Sequence, residues 1–205
     1  MTLQDCLNIL FDVKSASMAT VDENGAPQVR IIDLMLCENG TLYFCTARGK
    51  DFYRELRATG RVAMTGMNDN WQMIRISGTV KRLDDQKYWI DRIFDANAAI
   101  ANLYKGERRY ILEAFCLDSA DVEFFDLGQE PINRERFHLG SAEISPKGFH
   151  ITDACVACGK CASACPQSCI APGTPYVIAP EHCLHCGLCA ETCPVGAIER
   201  LGEQP

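Results

Sequence analysis

Two stretches near the end of the chain concentrate the residues best able to do chemistry: CVACGKCASACPQSCI at 155–170 and CLHCGLCAETCPVGAI at 183–198. They hold nine of the thirteen cysteines. Each reads C-x2-C-x2-C-x3-C-P, and the second repeats the first at an offset of 28 residues. Thiolates are soft metal ligands, and three of them two residues apart can wrap one centre from a single tight turn. Gly159 and Gly187 fall where that backbone must bend freely. The fourth cysteine, before proline, leaves the turn. Zinc also uses C-x2-C pairs, but it takes four ligands per site and has no use for a third x2-spaced cysteine followed by Cys-Pro.

The run is similar to that of bacterial-type two-cluster ferredoxins, in which the fourth cysteine of each run ligates the other cluster. The resemblance covers about residues 150–200. It implies two 4Fe–4S clusters, one on Cys155, Cys158, Cys161 and Cys193, the other on Cys183, Cys186, Cys189 and Cys165. Aligning CPQSCI with CPVGAI matches Cys169 to Ala197, so Cys169 is the spare, at a position that wants a small buried residue. His182 and His185 flank Cys183 and read as exposed loop residues or as donors tuning the nearby cluster, since eight thiolates are already present. Cys6, Cys37, Cys45 and Cys116 lie in apolar or turn contexts and read as small buried hydrophobes.

The preceding 150 residues must supply what such clusters would serve. Residues 3–13 carry Leu3, Leu7, Leu10 and Phe11 on one helical stripe. ASMATVD, PQVRIIDLML and TLYFC then read as strands joined by the turns DENG and CENG, the strongest short hairpin signal. GKDFYRELRATG reads as a helix closed by Gly60. RVAMTGM and WQMIRISGTVKRL are strands around NDN. DDQKYWIDRIFDANAAIANLY is helical, with Asp84 or Asp85 as cap. RYILEAFCLD and ADVEFFDL read as two further strands. Six or seven strands in adjacent hairpins imply an antiparallel sheet that closes into a small barrel. Residues 128–150 are polar, marked by glycine and proline, and read as a connector.

With RIIDLML in its second strand and LYFCTARGKDFYREL after it, this part resembles the pyridoxamine 5'-phosphate oxidase family of split β-barrels over about residues 5–127. The resemblance implies FMN at a homodimer interface. It implies that Arg30 and Lys50 meet the phosphate, with Arg48 close by, that the backbone at Ile31 and Ile32 lies along the flavin ring, and that Thr46 is the polar residue at the end of the next strand. Independently of the family, an Arg and a Lys where a helix starts suit a phosphate dianion. A family glutamine that reaches the flavin is not matched: aligning on Gly78 puts Met73 there, with Gln72 one position off. The Arg- and Trp-rich C-terminal segment of the vitamin-processing members is replaced by the connector and the cysteines, so vitamin B6 oxidation is not expected. Trp71 and Trp89 read as core or interface packing.

The expected architecture is therefore a mainly β split antiparallel β-barrel with inserted helices at 1–127, a connector at 128–150, and a small α+β ferredoxin-like domain at 151–205. Net charge is −7, and the tail has only Lys160 and Arg200 as cations, which excludes a nucleic-acid backbone as partner. No apolar run approaches a membrane span. The start lacks a signal peptide's cationic head and cleavage site. Cysteines in metal-ligand spacing suit a reducing compartment, so a cytoplasmic protein is expected. Clusters carry single electrons at low potential and FMN converts them to pairs. The expected function is an FMN-dependent reductase passing electrons from the clusters through FMN to a small-molecule acceptor, with a redox protein or reduced cofactor as donor. The alternatives are an electron-transfer or redox-sensing protein with no substrate of its own, or a barrel that holds haem or a deazaflavin. No residue stands out as a general acid: His138 and His150 lie in the connector, and Tyr43, Tyr53 and Tyr104 suit packing. Phe137 and Phe149 are the candidate apolar pins of the connector.

Overall fold

The computed structural model describes residues 1–143 and 146–202. They form two compact units, one of residues 1–123 with 136–143 and the other of residues 124–135 with 146–202.

The first unit opens with α1 (Leu3–Val13). A Thr2–Asp5 capping box satisfies its first N–H groups, a device that contributes about 1 kcal/mol. Cys6, Leu7 and Leu10 turn its apolar stripe inward. Leu10 packs so closely on Gly66 that a Cβ there would lie 2.6 Å from its Cδ1. The strands follow as β1 (Ser15–Val21), β2 (Pro27–Asp33), β3 (Leu36–Glu38) and β4 (Thr41–Ala47), then α2 (Asp51–Thr59), β5 (Arg61–Met67) and β6 (Gln72–Arg82). Helices α3 (Gln86–Ala96) and α4 (Ala98–Ala101) precede the long β7 (Leu112–Asp126) and β8 (Asn133–Leu139). The sheet has eight strands in the order β2-β1-β5-β6-β7-β4-β3, with β8 paired to β7 off this path. Antiparallel registers join β1 to β2 and β5, β5 to β6, β4 to β3 and β7. This is the mainly β, half-barrel sheet with helices that the hairpin pattern implied. Asn39 and Gly40 both take positive φ in the β3–β4 turn, the backbone that Asn-Gly supplies at least cost.

Four elements differ from the sequence expectation. The strand expected over PQVRIIDLML is split: β2 ends at Asp33, and Leu36 begins β3 at the other end of the strand order. The helix expected to run on from Asp85 breaks at Asn97, whose side-chain amide donates to the carbonyls of Met35 at 2.8 Å and Ile93 at 2.9 Å. The two strands expected around Asp118 are one strand, β7. Its Ser119–Ala120 backbone lies over Gly78 of β6, where a Cβ would come within 2.1 Å of the Ser119 carbonyl. Strand β8 lies inside the polar stretch 128–150. Asp85 is the cap of α3, accepting from Tyr88 N–H at 3.0 Å.

In the second unit, α5 (Lys160–Ala164) and α6 (Leu188–Thr192) pack together. Short ladders join β10 (Ile170–Ala171) to β11 (Val177–Ile178) and β9 (Phe149–Ile151) to β12 (Ile198–Arg200). The sequence repeat is a structural repeat. Gly159 and Gly187 cap the two helices at φ 76° and 84°. Ala157 and His185 share φ near 55°. This is the small ferredoxin-like α+β unit. Among the described residues no helix is long and apolar enough to cross a membrane.

Candidate functional site

A cleft of about 930 Å³ opens between β2, β4, α2 and α4 in the first unit. Alternation along β2 leaves Gln28, Arg30 and Ile32 half-buried and Val29 (73%) and Ile31 (64%) exposed, with Ile31 at the cleft's edge. Arg30 is held rather than loose. Its Nη2 donates to Glu55 Oε2 at 2.8 Å, its Nη1 donates to Thr20 Oγ1, and its guanidinium stands 4.6 Å above the Phe52 ring. Thr20 in turn donates to the same Glu55 oxygen. Lys50 lies where α2 begins, and among the described residues it makes no ion pair. Thr46 lies near the end of β4 and is 3% exposed, yet among the described residues its Oγ1 has no hydrogen-bond partner. An unpaired buried hydroxyl costs about 1–3 kcal/mol, so this one is set to gain from a ligand in the cleft. Opposite, Met35, Cys45, Ile100, Leu103 and Tyr104 make an apolar wall. Burial pushes the Cys45 thiol up to about 12, so it is a neutral apolar group there.

Arg30, Ile31, Ile32, Thr46 and Lys50 all line the cleft. Arg48 does not: its Nη1 donates to the Tyr110 carbonyl at 2.7 Å and lies 3.7 Å from Glu113. Neither Gln72 nor Met73 lines the cleft; Gln72 Oε1 accepts from the Asn68 amide at 2.9 Å. Trp89 stacks on Tyr43 in the core at 4.6 Å, while Trp71 is exposed. Sequence reasoning missed Glu55, Phe52 and Thr20. The signal was available: Phe52, Glu55, Leu56 and Thr59 share one helical face, and a glutamate on such a face needs a cation.

In the second unit two cavities are lined by cysteines. Cys155, Cys158, Cys161 and Cys193 line one; Cys183, Cys186, Cys189, Cys165 and Cys169 line the other. Each takes three cysteines from one repeat and a fourth from the other, and the second has Cys169 as a fifth. The turns aim backbone N–H groups at sulfur: Ala157 N at Cys155 Sγ and His185 N at Cys183 Sγ, both 3.4 Å. Backbone N–H groups of Val195 and Ala197 hold the Cys193 thiol below its ordinary value. For Cys165, burial acts upward, but the N–H groups of Cys169 and Gln167 outweigh it and the net shift is down. Both fourth cysteines are thus favoured as thiolates, the ligand form. Burial raises Cys161 and Cys189, and a coordinated iron would deprotonate them outright. Cys169 Sγ sits 3.5 Å from Cys165 Sγ, and burial pushes its thiol up to about 12. Among the described residues no three metal-binding side chains converge on a single-ion site. The donor set, four thiolates about each cavity with backbone N–H groups on sulfur, fits an iron–sulfur cluster.

A mainly β sheet with a cleft lined by Arg30 and Lys50, carried with two cysteine-lined cavities, is the make-up of a redox protein. The pyridoxamine 5'-phosphate oxidase family model matches residues 3–118, and a 4Fe–4S dicluster domain model matches residues 154–197. The chain belongs to the pyridoxamine 5'-phosphate oxidase family and carries a 4Fe–4S dicluster domain. A NimC/NimA family protein from Clostridium acetobutylicum shares 21% identity, with a TM-score of 0.57 over 67% of this chain and 92% of that one. A protein from the same organism related to general stress protein 26, of the pyridoxinephosphate oxidase family, shares 13% identity. Its TM-score is 0.54, over 67% of this chain and 94% of that one. These likenesses show the fold. No curated protein matches the chain.

Proposed function

We propose that the chain is an FMN-dependent oxidoreductase in which electrons arrive one at a time through two 4Fe–4S clusters and leave through a flavin to a small-molecule acceptor. The supporting observation is that one chain carries both kinds of site: a cleft with Arg30, Lys50 and an unpaired Thr46 hydroxyl, and two cavities with four cross-repeat cysteines each. Bound FMN would supply the conversion between single electrons and pairs.

The chain's own residues do the rest. Arg30 and Lys50 hold the phosphate, and Glu55, Thr20 and Phe52 keep the guanidinium oriented, so little ordering entropy is lost on binding. Thr46 Oγ–H donates to the ligand. Met35, Ile100 and Tyr104 keep water from the ring. Cys155, Cys158, Cys161 and Cys193 hold one cluster; Cys183, Cys186, Cys189 and Cys165 hold the other; Cys169 packs beside the second without ligating. A homodimer belongs to the same reading, because edge strand β2 presents Val29 and Ile31 outward. So does a reducing, cytoplasmic setting, which suits thirteen unbridged cysteines.

The test is anaerobic. Iron, sulfide and flavin are quantified, and flavin reduction by a one-electron donor is followed in the intact chain and in a Cys155→Ala/Cys183→Ala variant. The reading expects about eight irons and one flavin, with flavin reduction much slower in the variant. Equal rates would leave the clusters without a part in feeding the flavin.

A further inference from the structure

The two halves of the repeat are built alike but covered differently. At the 28-residue offset, Gln167, His182 and His185 correspond to Val195, Ala154 and Ala157. The first three are engaged by the chain just ahead of the repeat. Gln167 Oε1 accepts Ile132 N–H at 3.0 Å, and His182 Nδ1 donates to the Ile132 carbonyl at 2.8 Å. The His185 ring lies over Gly148, where a Cβ would come within 2.8 Å of Nε2. Ile132 is itself buried, and Phe149 lines the second cavity. The counterparts at the first cavity stand open: Val195 is 47% exposed, and Ala154 and Ala157 are exposed. Val156, which corresponds to half-buried Leu184, is 62% exposed, and both valines line the cavity of Cys155, Cys158, Cys161 and Cys193.

One polar set was thus placed to hold the chain's own covering segment, and its small apolar counterpart was left facing water. Apolar side chains grouped at the mouth of a site mark an interface. The surroundings give the partner its sign: from 151 to 202 the carboxylates are Asp153, Glu181, Glu191 and Glu199, against Lys160 and Arg200. Asp153 adjoins Ala154, and Glu199 follows the cavity residue Ile198; both acids are exposed.

We propose that the rim formed by Ala154, Val156, Ala157 and Val195 is the docking face for a separate one-electron carrier protein. That carrier has an apolar contact centre ringed by lysine or arginine. The inference rests on the reading of the cysteine cavities as cluster sites. Each encounter moves one electron and no atoms: the carrier's centre is oxidised by one as the site behind the rim is reduced by one. Contact at the rim matters because electron transfer weakens steeply with distance. Such encounters are small in area, brief and salt-sensitive.

The test uses full-length, iron-loaded protein and a lysine-ringed c-type cytochrome as probe, with binding measured by titration calorimetry at low and high salt. Val156→Lys and Val195→Lys should each weaken binding roughly tenfold at low salt, with iron content unchanged. Tyr88→Lys, which makes the same charge change on exposed α3, should weaken it less than about twofold. Rim variants no weaker than Tyr88→Lys would overturn the proposal. So would a change of solution mass in the rim variants alone, because a second copy would then be what covers the rim. Wild-type protein without iron would overturn the cluster reading itself, and the proposal with it.

Discussion

The barrel cleft and the cysteine repeat solve the problem of building a site in opposite ways. In the repeat, three of each cavity's four cysteines lie within seven consecutive residues, and the turn that presents them recurs at a fixed offset. In the cleft, Arg30, Thr46 and Lys50 come from β2, β4 and the start of α2, and only the folded sheet brings them together. The two units also differ in what holds them. The first buries leucine, isoleucine and phenylalanine, each worth about 1.5–3 kcal/mol. Among the described residues the second centres on a buried cluster of Cys161, Cys169, Cys183 and Cys189 with Ile170 and Ile198, edged by partly buried Phe149, Ile151, Tyr176 and Ile178. A domain so small, with thiols at the centre of its core, is expected to depend on bound metal for folding.

The largest expected effect follows from that contrast. Stripping iron with a chelator should unfold the second unit and leave the first folded, read by residue-resolved hydrogen exchange. Protection that survives in both units would erase the distinction. Next, Cys165→Ala and Cys193→Ala should each remove about half of roughly eight irons, while Cys169→Ala should remove none. Iron loss from Cys169→Ala with retention in Cys165→Ala would exchange the roles of that neighbouring pair.

Smaller effects sharpen the cleft side. Arg30→Glu sets like charge against a phosphate and leaves Glu55 without its cation. Flavin affinity should fall about a hundredfold or more, with iron content unchanged. Comparing FMN with riboflavin checks the cause, because riboflavin lacks the phosphate and should bind variant and parent alike. The smallest change is the most diagnostic. Thr46→Val removes a buried hydroxyl that has no partner in the free protein. The ligand-free protein should melt slightly higher, while flavin binds roughly two- to tenfold more weakly. A variant destabilised without flavin would mean that the hydroxyl already has a partner.

The cross-repeat distribution of the cysteines came from the resemblance to two-cluster ferredoxins; the sequence alone determined the repeat, the hairpin turns at DENG and CENG, and a lysine placed where a helix starts. These are local properties: ligand spacing, positive-φ turns at Asn-Gly, and charge at a helix start all act within a few residues. Tertiary structure decided the rest. The backbone of β6 admits Ser119 and Ala120 at Gly78, and β7 runs unbroken where two strands were expected. Asn97 reaches carbonyls on two elements and breaks a helix whose composition would have continued it. Arg48, two residues from Lys50, turns to the Tyr110 carbonyl instead of the cleft, and Glu55, unremarked in the sequence, holds Arg30 in place. Each of these outcomes depends on which groups meet across long stretches of chain, and such meetings are settled by packing and hydrogen-bond satisfaction in the folded sheet, which spacing along the chain does not encode.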